Sequence, residues 1–201
     1  YGEYHNALMD VSRINPNLNF KFYTTNVNQT DGQILNLPVW LLDIDDMALL
    51  LRSETHSQLT IIERMLKLAN IFALEDDTAI RYKNHLIAKA IMSILYTNQT
   101  ASSKRNDVFQ ILATCSTDEF NLEAPVQGIG YTRKFRECFT IDTAGQFPES
   151  ILMTEYVTNH IDESLDKYEP TEIKYYTLED LEKALDFTLI SEGLLHNDET
   201  Y

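Results

Sequence analysis

The chain has 201 residues, enough for one domain with a real core or for two small ones. Its 31 acidic and 16 basic residues leave a net charge of −15, which repels phosphate backbones and argues against broad nucleic-acid binding by this chain alone. With only six glycines and five prolines it is not built on tight hairpins, and no apolar run approaches the roughly 20 residues that cross a bilayer.

The first forty residues read as irregular with short extended pieces. Asn15-Pro16-Asn17 is a turn signal, and Asn19 to Tyr23 alternates polar and apolar as a half-buried strand does. Asn26 to Gly32 is polar and reads as a loop, and Leu37 to Asp43 is apolar. Pro38 is poorly placed for the middle of a sheet.

Helices are expected from Asp43 onward. Asp43 caps a short helix through Met47, Leu50 and Leu51. Thr55 and Gln58 have the spacing of a capping box, and behind them Leu59, Ile62, Leu66, Ala69 and Phe72 recur at helical spacing. That helix ends near Leu74. A longer one starts at Asp77 or Thr78 with Ile80, Ile87, Ile91, Ile94 and Leu95 inside and Arg81, Lys83 and Lys89 turned to water. Asn98 to Ser103 is a polar break. Lys104 to Thr114 is helical and buries Val108, Ile111 and Leu112, and Ser116 to Glu119 has the pattern of another short capped turn.

From Asn121 to Gln146 the period is lost, with Tyr131 to Ile141 a strand or a packed arm. Gln146 to Leu165 reads as helical, with Phe147, Ile151, Val157 and Ile161 as apolar marks and Pro148 in its first turn. The last helix opens at Thr177, carries Leu178, Leu181, Leu185 and Leu189 on its apolar side, and stops at Gly193. The fold class is mainly α: a helical bundle with an irregular N-terminal segment containing one or two short strands. The expected division is 1–42, irregular, and 43–201, helical.

Chemistry-bearing patterns are sparse. A P-loop needs glycines that let backbone N–H groups approach phosphates, with a Lys-Ser/Thr pair, and no such run is present. Gly128-Ile129-Gly130 lacks the third glycine and reads as an ordinary loop. His5, His56, His85, His160 and His196 share no short ligand spacing with one another or with a cysteine, so no metal site is expected. His85, beside a core face, reads as a hydrogen-bonded structural histidine. Acidic clusters at Asp43, Asp45 and Asp46, at Glu75 to Asp77 and at Glu179, Asp180 and Glu182 sit at or near helix starts, where negative charge complements the dipole; Mg²⁺ binding by one of them is the alternative reading, without a companion phosphate site.

Arg133, Lys134 and Arg136, beside Tyr131 and Phe135, form the one compact basic group. Such a loop can touch phosphates in a motor that threads DNA, or it can pair with neighbouring carboxylates; pairing is preferred in so acidic a chain. Cys115 and Cys138 read as two reduced thiols of a cytosolic protein. The acidic excess is concentrated in residues 160–201, with twelve acidic and three basic residues, which gives solubility or a docking surface for a basic partner. The lack of an initiator methionine gives the expectation of a chain that begins inside a longer protein or is a processed product.

Gly2-Glu3-Tyr4, followed by Leu37-Pro38-Val39-Trp40-Leu41-Leu42-Asp43 and then Ser57-Gln58, resembles HerA-type ATPases, the DNA-translocating P-loop motors related to FtsK. In that family the Gly-Glu-Tyr follows a core strand and usually a His, where this chain has Tyr1. The Leu-Pro-Xaa-Trp run then leads into a mostly helical insertion.

The resemblance implies that this chain is the insertion of a hexameric ATP-dependent DNA helicase or translocase. It implies no catalytic residue here and no cofactor in this piece, with ATP and Mg²⁺ held by the parent protein. Glu3 would lie near the parent's nucleotide pocket. No stretch of the chain matches the Walker motifs or the arginine finger. The implied partners are the remainder of the ATPase, neighbouring ring subunits, a nuclease or other effector, and duplex DNA through the parent. No membrane is implied, and the setting is cytoplasmic. The competing reading is a freestanding acidic helical interaction module.

Overall fold

The computed structural model describes residues 5–18, 20–28, 32–168 and 175–192. Gly2, Glu3, Tyr4, Asn19, Gly193 and His196 lie outside the described residues. The chain divides into two compact units, Tyr1–Leu41 and Leu42–Tyr201.

In the first unit, α1 (His5–Ile14) occupies a stretch expected to be irregular. Leu8 and Val11 stand one turn apart and an Asp10–Arg13 ion pair of 3.1 Å spans the next turn, but ten residues give too few periods to stand out in the sequence. β1 (Tyr23–Thr24) pairs in parallel with β2 (Gln33–Ile34), so the extended tendency before Thr24 survives as two paired residues. A 3₁₀ turn, Val39–Leu41, follows Pro38.

The second unit is the helical bundle. It contains α2 (Ile44–Leu51), α3 (His56–Ala73), α4 (Asp77–Tyr96), α5 (Ala101–Cys115), α6 (Ser150–Thr158) and α7 (Leu178–Ser191). α3 packs most extensively on α7, while α5 touches both α4 and α7. Ile62, Met65 and Ala69 of α3, Ile87 and Ile91 of α4, Val108 and Ile111 of α5, and Ala184 and Phe187 of α7 are buried in it. The Phe187 ring meets Phe72 edge-on, with centroids 5.7 Å apart.

Side-chain caps start α2, α3, α4, α5 and α7, whereas Glu149 makes no side-chain cap hydrogen bond to α6. Thr55 accepts from the Gln58 N–H while the Gln58 side chain accepts from the Thr55 N–H at 3.1 Å. Asp43 with Asp46, and Thr177 with Asp180, make the same reciprocal pair. Asp76 caps α4 and Thr100 caps α5. The Thr100 cap starts α5 at Ala101, inside the stretch expected to be a polar break.

Lysines close two of these helices. Lys83, expected in water, is half-buried and donates from Nζ to the Phe72 and Leu74 carbonyls at 2.9 and 2.5 Å. Lys104 donates to the Leu95 carbonyl at 2.7 Å. Each reaches back from one helix to carbonyls that end the preceding helix, where a cation also meets the negative end of the dipole.

Other expectations fail for visible reasons. The short turn expected to be capped from Ser116 is capped by Thr117 instead: its hydroxyl accepts from the Phe120 N–H at 3.0 Å and donates to Asn84 Oδ1 at 2.6 Å, which braces the loop on α4. The continuous helix expected over Gln146–Leu165 is split into α6 and a 3₁₀ turn, Glu163–Leu165. His160 stacks on Phe120 at 4.2 Å, and Asp162 accepts from the Ser164 N–H at 3.1 Å, so the chain turns between them. Ile151 and Leu178, expected inside, are exposed.

β3 (Pro125–Gly128) and β4 (Tyr131–Lys134) form an antiparallel hairpin where the periodicity was lost. Gly130 takes φ +80 in its two-residue turn, and the Gly128 Cα faces the Tyr131 ring so closely that a Cβ would sit 2.5 Å from it. A 3₁₀ turn, Phe135–Phe139, then buries Phe135 and Phe139 against α6. No helix among the described residues is long and apolar enough to cross a membrane.

Candidate functional site

Three places in the bundle unit carry chemistry or unusual surface. The first is the basic group. β4 and the turn after it carry Arg133, Lys134 and Arg136. Lys134 and Arg136 both contact Glu123, each at 2.6 Å, and Arg133 contacts Glu149 at 3.2 Å while its guanidinium lies 4.6 Å over the Tyr131 ring. Tyr131 donates its hydroxyl to Glu149 at 2.9 Å. The hydrogen bond from Lys134, ahead of the charges of Lys134 and Arg136, holds the Glu123 carboxyl below its usual range. The hydrogen bond to Glu149 raises the Tyr131 phenol. All three cations are therefore engaged with carboxylates. A phosphate would have to displace Glu123 or Glu149.

The second is a polar cluster around His85, which is 1 % exposed. His85 Nδ1 lies 3.1 Å from the Asp162 N–H and must accept from it. The proton therefore belongs on Nε2, which donates to Asp166 Oδ1 at 2.9 Å. Lys89 reaches the same oxygen at 2.7 Å. The Lys89 hydrogen bond, with the His85 bond also contributing, holds the Asp166 carboxyl below its usual range. This fixes the turn after α6 to α4. Tyr168 then sits against Tyr82, centroids 4.9 Å apart, at the edge of an open cleft of ≈ 750 Å³ that Arg64, Lys67, Leu68 and Ile71 also line. Arg64 pairs with Glu192 and Lys67 with Glu63, so these cations too are engaged internally.

The third is α2. Its one buried side chain is Met47. Leu49, Leu50 and Leu51 are 82 %, 66 % and 51 % exposed, and Ile44 is also exposed. The short helix expected through Met47, Leu50 and Leu51 with Asp43 as its cap is present, but of these three apolar residues it buries Met47 alone. The signal was present: three consecutive leucines sweep about 200° of a helix, more than one buried face can hold. The acidic residues Asp43, Asp45, Asp46 and Glu54 flank them, against the single cation Arg52.

The two thiols are chemically quiet. Burial pushes Cys115 up to about 12, and burial also raises Cys138. Both are free. Among the described residues no group of three or more His, Cys, Asp or Glu is placed to hold a metal ion. No family model, curated protein or solved structure matches this chain.

Proposed function

We propose that this chain is a helical contact domain, the insertion of a HerA-like hexameric ATP-dependent DNA translocase, and that it serves subunit or partner contacts while the parent protein handles ATP and Mg²⁺. The observation that carries the contact reading is the solvent-facing leucine surface of α2, since large apolar side chains grouped in water mark interaction sites. The motor assignment rests on the resemblance at Gly2-Glu3-Tyr4, Leu37 to Asp43 and Ser57-Gln58. Gln58 also has a local role in the α3 cap.

Equilibrium titration of the isolated chain with ATP and Mg²⁺ tests the proposal. No saturable binding is expected, and micromolar affinity would overturn it. In the parent, Arg133, Lys134 and Arg136 are the residues available for duplex DNA, at the cost of their carboxylate partners. Glu123→Gln removes the carboxylate shared by two of them, and retention on duplex DNA at low salt is then expected to rise and to fall again with added salt.

The second reading, a freestanding acidic interaction module, is favoured by the net charge of −15. An antibody raised against the bundle separates the two in cell extracts. A polypeptide near 23.2 kDa supports the module, and a much longer one with ATPase activity supports the motor.

A further inference from the structure

The α2 surface has a second property besides its leucines. Asp45 and Leu49, and likewise Asp46 and Leu50, are four residues apart, so each leucine stands one turn beyond an aspartate on the same side of the helix. Residues 43–54 carry Asp43, Asp45, Asp46 and Glu54 against Arg52 alone, a net charge of −3. No ion pair among the described residues involves any of these four carboxylates. This contrasts with the hairpin and the α3–α4 cleft, where cations and carboxylates meet within the molecule.

The helix is also held rigid at both ends. The Asp43–Asp46 capping box closes its start, and Arg52, in the left-handed region at φ 54, closes its end with its N–H directed to the Ala48 and Leu49 carbonyls. A preorganised apolar face loses little conformational freedom on binding.

Building on the contact-domain reading, we infer that the α2 face docks a partner segment that is apolar at its centre and basic at its edges. Two physical arguments select this occupant. Apolar burial against Leu49, Leu50 and Leu51 needs apolar side chains opposite, and the acidic rim, in no ion pair among the described residues, favours Lys or Arg around them. A second copy of this chain is disfavoured, because a twofold contact sets the same patch against itself. The acidic rims of both copies would then share one interface between two bodies of net charge −15.

Two labelled synthetic peptides of about five helical turns, identical in a leucine face, test this by fluorescence anisotropy. One carries lysines on the remaining positions and the other glutamates. The whole chain is expected to bind the leucine–lysine peptide, and salt is expected to weaken binding. The L49S/L50S variant is expected to lose at least about tenfold in affinity, because the central apolar contact is removed. It should keep the wild-type circular dichroism, since both side chains already lie in water.

Equal binding of the glutamate peptide, or unchanged binding by L49S/L50S, overturns the inference. So does a dimer in sedimentation equilibrium that L49S/L50S dissolves, which would make the second copy the occupant. Peptide failure with no ATP binding removes only this partner chemistry. Micromolar ATP binding removes the motor-insertion reading, whatever the peptides do.

Discussion

α2 and α3 are adjacent helices that begin with the same device and end in opposite environments. Each opens with a reciprocal capping box, Asp43 with Asp46 in one and Thr55 with Gln58 in the other. Each is rich in Leu, Ile and Met. Yet α3 buries Ile62, Met65, Leu68, Ala69 and Ile71, whereas α2 buries Met47 alone and leaves three leucines in water. Caps and propensity therefore decide whether a helix forms here. What lies opposite decides what its apolar side is for.

The contrast can be broken most sharply in the core. Phe187→Ala removes a ring that is 1 % exposed and packed on Phe72, and about 3–5 kcal/mol of stability should be lost in urea denaturation. A loss below about 1 kcal/mol would mean that α3 and α7 are not the close-packed pair described above.

His85→Ala tests a buried polar contact of the same bundle. It leaves the Asp162 N–H without its acceptor and Asp166 with Lys89 alone, and about 1–3 kcal/mol should disappear. Amide exchange in the turn after α6 should quicken more than in α2.

Thr55→Ala removes the cap without touching the core, and about 1 kcal/mol is expected from thermal melts. Leu49→Ala on α2 should move stability by no more than about 0.5 kcal/mol, since nothing buried is lost. A larger loss would show that this leucine packs within the molecule, and would remove the basis for reading α2 as a contact surface.

The smallest effect belongs to the exposed ion pair at Asp166. Lys89, and after it His85, hold that carboxyl below its unfolded value of 3.8. The corresponding stability is present above the unfolded pKa and is lost as pH falls through the folded one. Wild type should therefore exceed Asp166→Asn slightly near neutrality, and the gap should close below about pH 4. A gap that widened in acid would contradict the arrangement of Lys89 and His85 around one oxygen.

Much of the bundle was legible because its signals are local. The Thr55–Gln58 box, the Asp43 and Thr177 caps, and Ile87, Ile91 and Ile94 of α4 act within one or two turns, and each stands where the pattern placed it, while Ile80 is half-buried. The misreadings share a non-local cause. Lys83 looks solvated until the end of α3 is seen beside it, and the helix expected through Leu165 stops because His160 meets Phe120, forty residues earlier in the chain. The hairpin is short, with one buried residue in β3 and none in β4, too little for an alternating pattern to show. For the basic group the sequence offered two readings, and the positions of Glu123 and Glu149 show the carboxylate pairing.

Sequence by itself determined that this chain is mainly helical and acidic, and where most of its helices begin, because caps, turn residues and charge act over a few positions of the chain. Tertiary structure alone decided which apolar side chains are core and which are surface. Periodicity identifies an apolar face but not the body that covers it, so α3 found α7 while Leu49, Leu50 and Leu51 remained in water.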